Sequence, residues 1–448
     1  RYLYQEVYHH LKTLIDKEFV KKGYKLPSKR SLASLFKISP LTVDKAYQEL
    51  IDEGYVYSIE KKGYFVDEKI GNISDVKPSI KKIQLSNKTD SYPYDFSTNK
   101  VETNYFPHQI WARLARQVLS EQHQQMLNET DPFGLYDLKV EISKHIELYR
   151  KIDVDPNQIV IGSSSTQLLS ILVDLLGRDK KYGIENPTYP KIYHFFNMLD
   201  IKATSILVDD YGLIVKDLSK SNVDVIHVTP SHQYPTGALM SVERRKELLK
   251  WAYESKDRFI IEDDYDSEFK YQGKPTEALF GLDQNDKVIY MNTFSKSLAP
   301  SFRVAYLVLP KTLISTLSLI SKYHRCTVPN FEQYILYKFM NQGYFVKYLN
   351  KMSKIYRHKL EQLLATMKNY PKVEVKNYHS GLHVIFKLKS ILTADKLVML
   401  CKQNEIYVDA LNNNIQNNQY VELVIGYASL DDQLLDQGLR LLLEIISP

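Results

Sequence analysis

The sequence predicts an α/β chain of two unlike parts: a short N-terminal module of three helices and a hairpin, then a large domain on a mostly parallel sheet with helices on both faces. Three observations predict it. Apolar residues at helical spacing fill the first fifty residues and give way at 55–66 to strict alternation. A polar stretch without sustained period follows at 67–91. Beyond residue 92, short apolar runs alternate with helical stretches, and several runs end in polar clusters.

With 448 residues, 44% of them hydrophobic, the chain can bury at least one large core. No apolar run approaches the ~20 residues of a membrane helix, and Arg1 to His10 lack the apolar block of a signal peptide, so a cytoplasmic location is expected. Cys326 and Cys401 are too few for a disulfide framework or a four-thiolate site, and no His/Cys cluster stands at ligand spacing, so no metal is expected. Residues 1–66 hold 12 Lys/Arg against 8 Asp/Glu, which puts +4 of the formal net charge of +6 in one short segment. That asymmetry points to a polyanionic partner for one end of the chain.

Leu3, Val7, Leu11, Leu14 and Ile15 predict an amphipathic helix over residues 2–21, ended by Lys22-Gly23. Ser28 suits the N-cap of a second helix carrying Leu32, Leu35 and Phe36. Ser39 caps a third, with Pro40 at its first position, where a missing N–H costs nothing. This third helix buries Val43, Ala46, Tyr47 and Leu50, and its other face shows Thr42 and Lys45 before Glu49 and Asp52. Only its N-terminal half can approach phosphates or base edges without repulsion, which is how a recognition helix enters the major groove. "YVYSIEKKGYFV" (55–66) then alternates like a hairpin with Lys61, Lys62 and Gly63 at its tip.

The stretch "GYKLPSKRSLASLFKISPLTVDKAYQELIDEGYVYSIEKKGYFV" resembles, over its whole length, the winged helix-turn-helix of GntR-type bacterial regulators. The resemblance implies double-stranded operator DNA as partner, with contacts from Arg30, Thr42, Lys62 and Gly63, and with Ser28, Lys29 and Lys45 added to the DNA-binding set. Pro40 stands where the family usually has a DNA-reading arginine, and Asp44 where some relatives have another. Residues 67–91 are expected to form a linker.

In the remainder (92–448), strands are expected at Ile159–Ile161, Tyr182–Ile184, Val225–Val228, Phe259–Ile261, Val288–Met291 and Val304–Val308. Their polar ends, "GSSSTQ", "ENPTYP", "TPSHQYPTG", "EDDYDSEF" and "NTFSKSLAP", should converge on one pocket. Lys296 is an amine at a strand's end. Shielded from water, such an amine loses basicity and can form a Schiff base with an aldehyde. Pyridoxal phosphate (PLP) supplies that aldehyde and demands a carboxylate at its ring nitrogen, an aromatic face and donors for its phosphate. Asp263 can be the carboxylate and Tyr189 the stacking ring, while Ser165, Thr166, Thr293, Ser295 and Arg303 can hold the phosphate. Taken singly each part is ordinary: a lysine after a strand is usually a solvated charge, and a Ser-rich turn is usually just a turn.

Jointly these residues resemble the fold-type I aminotransferases across residues 92–448. "PTYP", "PSHQYPTG", "EDDYDSEF" and "TFSKSLAPSFRVAYLVLP" resemble the aminotransferase-like domain of MocR-type, or GabR-like, regulators, in which a GntR-type winged helix precedes that fold. The resemblance implies a large doubly wound domain, a smaller α+β domain and a homodimer. It makes Lys296 the PLP-linked lysine, pairs Asp263 with the ring nitrogen and sets Tyr265 on the 3′-oxygen. It implies a transcriptional regulator that senses PLP or a small amine- or amino-acid-like effector. The alternative is an active aminotransferase with an appended DNA-binding module. Four departures stand out. Val424 replaces the arginine that clamps a substrate carboxylate, Lys191 replaces a second carboxylate-binding arginine and becomes the effector-binding candidate, Ser164 replaces a glycine of the phosphate turn, and Glu129 falls near a tyrosine that reaches the partner subunit's phosphate. They weaken the case for ordinary transamination.

Overall fold

The computed structural model describes residues 3–67, 91–121, 124–271, 277–411 and 420–446. The chain divides into two compact units, Arg1–Thr89 and Asp90–Pro448, treated separately below. The expected linker falls mostly on residues 68–90, outside the described residues.

The N-terminal unit packs helices Leu3–Asp16, Lys29–Phe36 and Pro40–Asp52 against a hairpin of Val56–Ile59 and Gly63–Val66. Ser28 Oγ accepts from Ser31 N–H at 3.1 Å and Ser39 Oγ from Thr42 N–H at 3.1 Å, so both expected caps form. The first helix is shorter than its expected span. It stops at Asp16, Glu18 turns into the left-handed region (φ 56°), and Val20 N–H reaches back to Leu14 O at 3.2 Å. The polar run Asp16, Lys17, Glu18 offers no apolar residue to the core, so only a turn brings Val20 back to it. Val43, Ala46, Tyr47 and Leu50 are wholly buried, as the helical spacing requires. The tip of the hairpin turns at Lys61 (φ 61°) and Gly63 (φ 111°).

In the large unit all six expected strands form. They belong to an eight-stranded sheet running, in spatial order, 159–162, 305–308, 288–293, 259–263, 225–228, 182–186, 204–209 and 212–213. The run from 288–293 to 204–209 is parallel. Strand 305–308 runs antiparallel between 159–162 and 288–293. The carboxyl ends of 159–162, 182–186, 225–228, 259–263 and 288–293 therefore share one edge with the amino end of 305–308. Side chains alternate between two cores: Ile289 and Met291 enter one, and Tyr290 between them enters the other. A smaller antiparallel sheet of 373–376, 383–389, 420–426 and 409–410 carries the helices Tyr344–Met367, Ala394–Gln403 and Asp432–Ile446. Phe96 O accepts from Gly426 N–H at 2.8 Å, and a Cβ on Gly426 would lie 2.5 Å from Ser97 O, so glycine is required for this approach.

Leu50 is fully enclosed in the small core of the N-terminal unit. Leu50→Ala should cost about 2–5 kcal/mol, a large share of what a unit this size holds. Chemical denaturation should then show an early transition for this unit with the later one unmoved.

Candidate functional site

One cavity of about 290 Å³ lies at the shared strand edge. It is lined by all ten residues that the sequence assigns to cofactor and effector: Ser165, Thr166, Tyr189, Lys191, Asp263, Tyr265, Thr293, Ser295, Lys296 and Arg303. Each reaches it from a strand end or the turn beyond, so their convergence follows from the topology.

Lys296 sits in the one-turn helix Phe294–Ser297, whose Phe294 and Ser297 are buried. The amine donates to Thr98 O. The residue is half-buried and lines the cavity, with the protein closing around its amine end. Loss of solvation pushes its pKa down to about 8, against the opposing charge of Asp266.

The acidic run Glu262 to Asp266 divides its work. Glu262, buried, accepts from Leu279 and Phe280 N–H at 2.9 Å and faces Arg245 at 3.7 Å. Asp264, also buried, accepts from Tyr290 Oη at 2.7 Å and Ser267 Oγ at 2.8 Å and pairs with Arg150 Nε at 2.8 Å. Asp263 and Tyr265, between and beyond these anchors, line the cavity. Asp263 Oδ2 lies 3.3 Å from His227 Nε2, while its Oδ1 is buried without a hydrogen-bond partner among the described residues. Such an atom asks for a donor from whatever fills the cavity. The Tyr265 hydroxyl donates to His232 O at 2.9 Å, and burial raises its pKa well above the ordinary phenol value.

At the other end, Ser164 caps the helix Ser165–Leu176, accepting from Gln167 N–H at 3.2 Å and lying 3.1 Å from Thr166 Oγ1. Its φ of −171° is ordinary extended backbone, so serine in place of glycine imposes no strain on the turn. Thr293 Oγ1 donates to Ser295 Oγ at 2.9 Å. Arg303, at φ 52°, has no carboxylate within ion-pair distance among the described residues. Helix-start N–H groups, hydroxyls and an unpaired guanidinium together suit a phosphate. Tyr189 Oη lies 3.3 Å from Asn99 Oδ1, its ring meets Tyr234 edge-on at 5.2 Å, and Lys191 Nζ stands 5.8 Å from the same ring.

Val424 is buried beside Ile385 and Leu411 and does not line the cavity. Glu129 is exposed and paired with Arg325. Sequence reasoning missed His227, His232, Asp266 and His383. His232 and Asp266 stood inside quoted motifs, whereas a lone histidine in "VIHV" or "LHVIF" reads as core. His232, Asp266 and His383 bring possible metal-ligand atoms within 4.8 Å of one another. His232 Nδ1 is already held by Asp266 Oδ2 at 2.9 Å and His383 Nε2 lies 3.1 Å from Pro235 O.

In the N-terminal unit, Arg30, Lys61 and Lys62 are exposed and make no ion pair among the described residues. Lys29 is tied to Asp44, which offsets that one acidic charge in the first half of the third helix, and stands over the Tyr64 ring at 5.2 Å. Lys45 lies over Tyr4 at 4.4 Å. Thr42 Oγ1 is 2.8 Å from Ser39 Oγ, and Ser28 Oγ is engaged as a cap. Gly63 carries the tip's left-handed turn.

A winged helix-turn-helix and an aminotransferase-type domain are thus joined in one chain. The family model "Aminotransferase class I and II" matches residues 94–439, and "Bacterial regulatory proteins, gntR family" matches residues 3–66. The HTH-type transcriptional regulator YdeL of Bacillus subtilis is 32% identical over 98% of this chain and 95% of its own. The HTH-type pyridoxine biosynthesis transcriptional regulator PdxR of Corynebacterium glutamicum is 26% identical over 84% of this chain and 81% of its own. Among solved structures, the kynurenine aminotransferase of Pyrococcus horikoshii in complex with PMP shares the fold at a TM-score of 0.69 and 23% identity, over 80% of this chain and 91% of its own. The chain belongs to the MocR-type HTH transcriptional regulators, which join a gntR-family DNA-binding domain to an aminotransferase class I and II domain. No helix among the described residues is long and apolar enough to cross a membrane.

Gly381 (φ 78°) backs the cavity wall: a Cβ there would meet His232 Cε1 at 2.1 Å and Asp266 Oδ2 at 2.7 Å. Gly381→Ala should destabilise the large unit by about 2 kcal/mol or more, lowering its melting temperature while the N-terminal unit's transition stays in place.

Proposed function

We propose that this chain is a PLP-dependent regulator that binds operator DNA as a homodimer and responds to PLP or to a small amine-bearing effector taken into the cavity. The observation that carries this reading is the convergence of the ten sequence-selected residues on one cavity, lined by both Lys296 and Asp263, one of whose carboxylate oxygens has no partner among the described residues. These residues fit PLP: Asp263 Oδ1 for the ring N–H, Tyr265 for the 3′-oxygen, Tyr189 for the ring face, and Ser165, Thr166, Thr293, Ser295 and Arg303 for the phosphate. When bound, PLP supplies an aldehyde that condenses with primary amines. Lys296 offers such an amine, largely unprotonated only above about 8. Lys191 offers an effector carboxylate a point charge but no fork.

The exposed Arg30, Lys61 and Lys62 and the first turn of helix Pro40–Asp52 supply the DNA face. Effector binding would shift the population of dimer states that differ in how they present the two winged helices. Of the two signals, PLP itself is favoured by Val424. The carboxylate clamp is replaced by a buried valine, and one relative is named for regulating pyridoxine biosynthesis. A true aminotransferase, by contrast, requires multiple-turnover keto-acid formation.

Incubation with PLP followed by borohydride should give a covalent adduct that peptide mass spectrometry locates at Lys296. Its yield should rise as pH increases through about 8, because the neutral amine reacts. Lys296→Ala should show none, and a wild-type adduct absent or spread over surface lysines would refute the cofactor assignment. With fragments of the source genome, Arg30→Ala with Lys62→Ala should weaken specific retention at least about tenfold, each contact being worth about 1–3 kcal/mol. Unchanged retention would remove the DNA face from these residues.

A further inference from the structure

The helix Pro40–Asp52 meets the core along one face and solvent along the other. Val43, Ala46, Tyr47 and Leu50 are buried, whereas Leu41, Lys45 and Gln48, four and three residues apart, are exposed. That exposed stripe is the side a DNA groove can receive. Its N-terminal end, where a recognition helix meets base edges, is an aliphatic side chain, and Leu41 is 77% exposed. The polar groups around it are engaged or absent. Pro40 brings neither an N–H nor a side-chain donor, Thr42 Oγ1 lies 2.8 Å from Ser39 Oγ, and Asp44 is tied to Lys29. Farther along the stripe, Lys45 Nζ stands 4.4 Å from the centroid of the Tyr4 ring, and Gln48 Nε2 donates to Asp52 Oδ1 at 3.0 Å. The exposed Arg30, Lys61 and Lys62 supply charge for phosphates, and phosphate contacts set position without reading sequence. A solitary exposed leucine is ordinary on a protein surface. This one occupies the place from which a recognition helix reads bases, with no free long donor beside it.

We propose that Leu41 is a specificity-determining residue that reads thymine by packing against its 5-methyl group in the major groove. That methyl is the one apolar group the base edges offer there, and G·C pairs lack it. The inference rests on the DNA reading above and adds to it the chemical group that the third helix recognises. Contact between the leucine and the methyl removes apolar surface of both from water, which favours the thymine. Cytosine in the same place would present its N4 amine, a donor, to a side chain that cannot accept. The amine would lose water and gain no partner, which penalises the wrong base.

The test uses full-length protein, with and without PLP, and fragments of the source genome. The shortest specifically retained duplex is remade with each thymine replaced in turn by uracil, which lacks only the 5-methyl group. Wild-type protein should bind at least one uracil duplex about fourfold more weakly, the effect of burying one methyl group. Leu41→Ala should bind the thymine duplex about fourfold more weakly or worse, and should lose nothing further at that same uracil, because the paired changes isolate the one contact. Wild-type binding indifferent to every uracil would overturn the inference alone, and that arm needs no variant. Uracil penalties that all persist in Leu41→Ala would overturn it as well. Wild-type protein that retains no specific fragment would overturn the DNA reading and this inference together.

Discussion

Holding the Lys296 amine away from bulk water imposes most of what surrounds it. The amine gives up hydration that no single hydrogen bond replaces, so its pKa falls to about 8 and its nucleophilic form becomes accessible near neutral pH. That state needs walls. Phe294 and Ser297 pin the helix turn on either side, and Thr98 O, from the segment leading into the large unit, takes the amine's hydrogen bond. The parallel strands 225–228, 259–263 and 288–293 then deliver His227, Asp263 and Thr293 to the same edge without a long loop.

The acidic run shows how a sheet edge keeps several carboxylates close without mutual expulsion. Glu262 and Asp264 face the core, where Arg245, Arg150 and Tyr290 compensate them, and Asp263 and Asp266 face the cavity beside His227 and His232. Alternation at the end of strand 259–263 sends Glu262 and Asp263 to opposite faces. The buried anchors fix the backbone from which Asp263 and Tyr265 project. They give the cavity-facing pair a rigid base, as a preorganised site requires.

Much of this was legible in the sequence, for a definite reason. A strand end at the carboxyl edge is both the last apolar residue of a run and the start of a polar cluster, so Asp263, Thr293 and Lys296 announce themselves by position. The caps at Ser28 and Ser39 were equally plain, because they bond locally. What depends on pairing distant segments was hidden. The antiparallel insertion of 305–308 leaves no local trace. His383 arrives from the smaller sheet, and its relation to His232 exists only once the two domains pack. His227 alternates with isoleucine and valine in a buried strand, and nothing in "VIHV" distinguishes a cavity histidine from a core one. The end of the first helix was misplaced because Lys17 and Glu18 are good helix formers; the core's demand for Val20 overrides that preference.

The most direct test of the central claim is a crystal structure of the full chain grown with PLP. The account expects continuous density from Lys296 Nζ into the cofactor, with the ring nitrogen beside Asp263 Oδ1 and the phosphate at Arg303 and the start of helix Ser165–Leu176. PLP found elsewhere, or a cavity left empty with Lys296 still bonded only to Thr98 O, would contradict it.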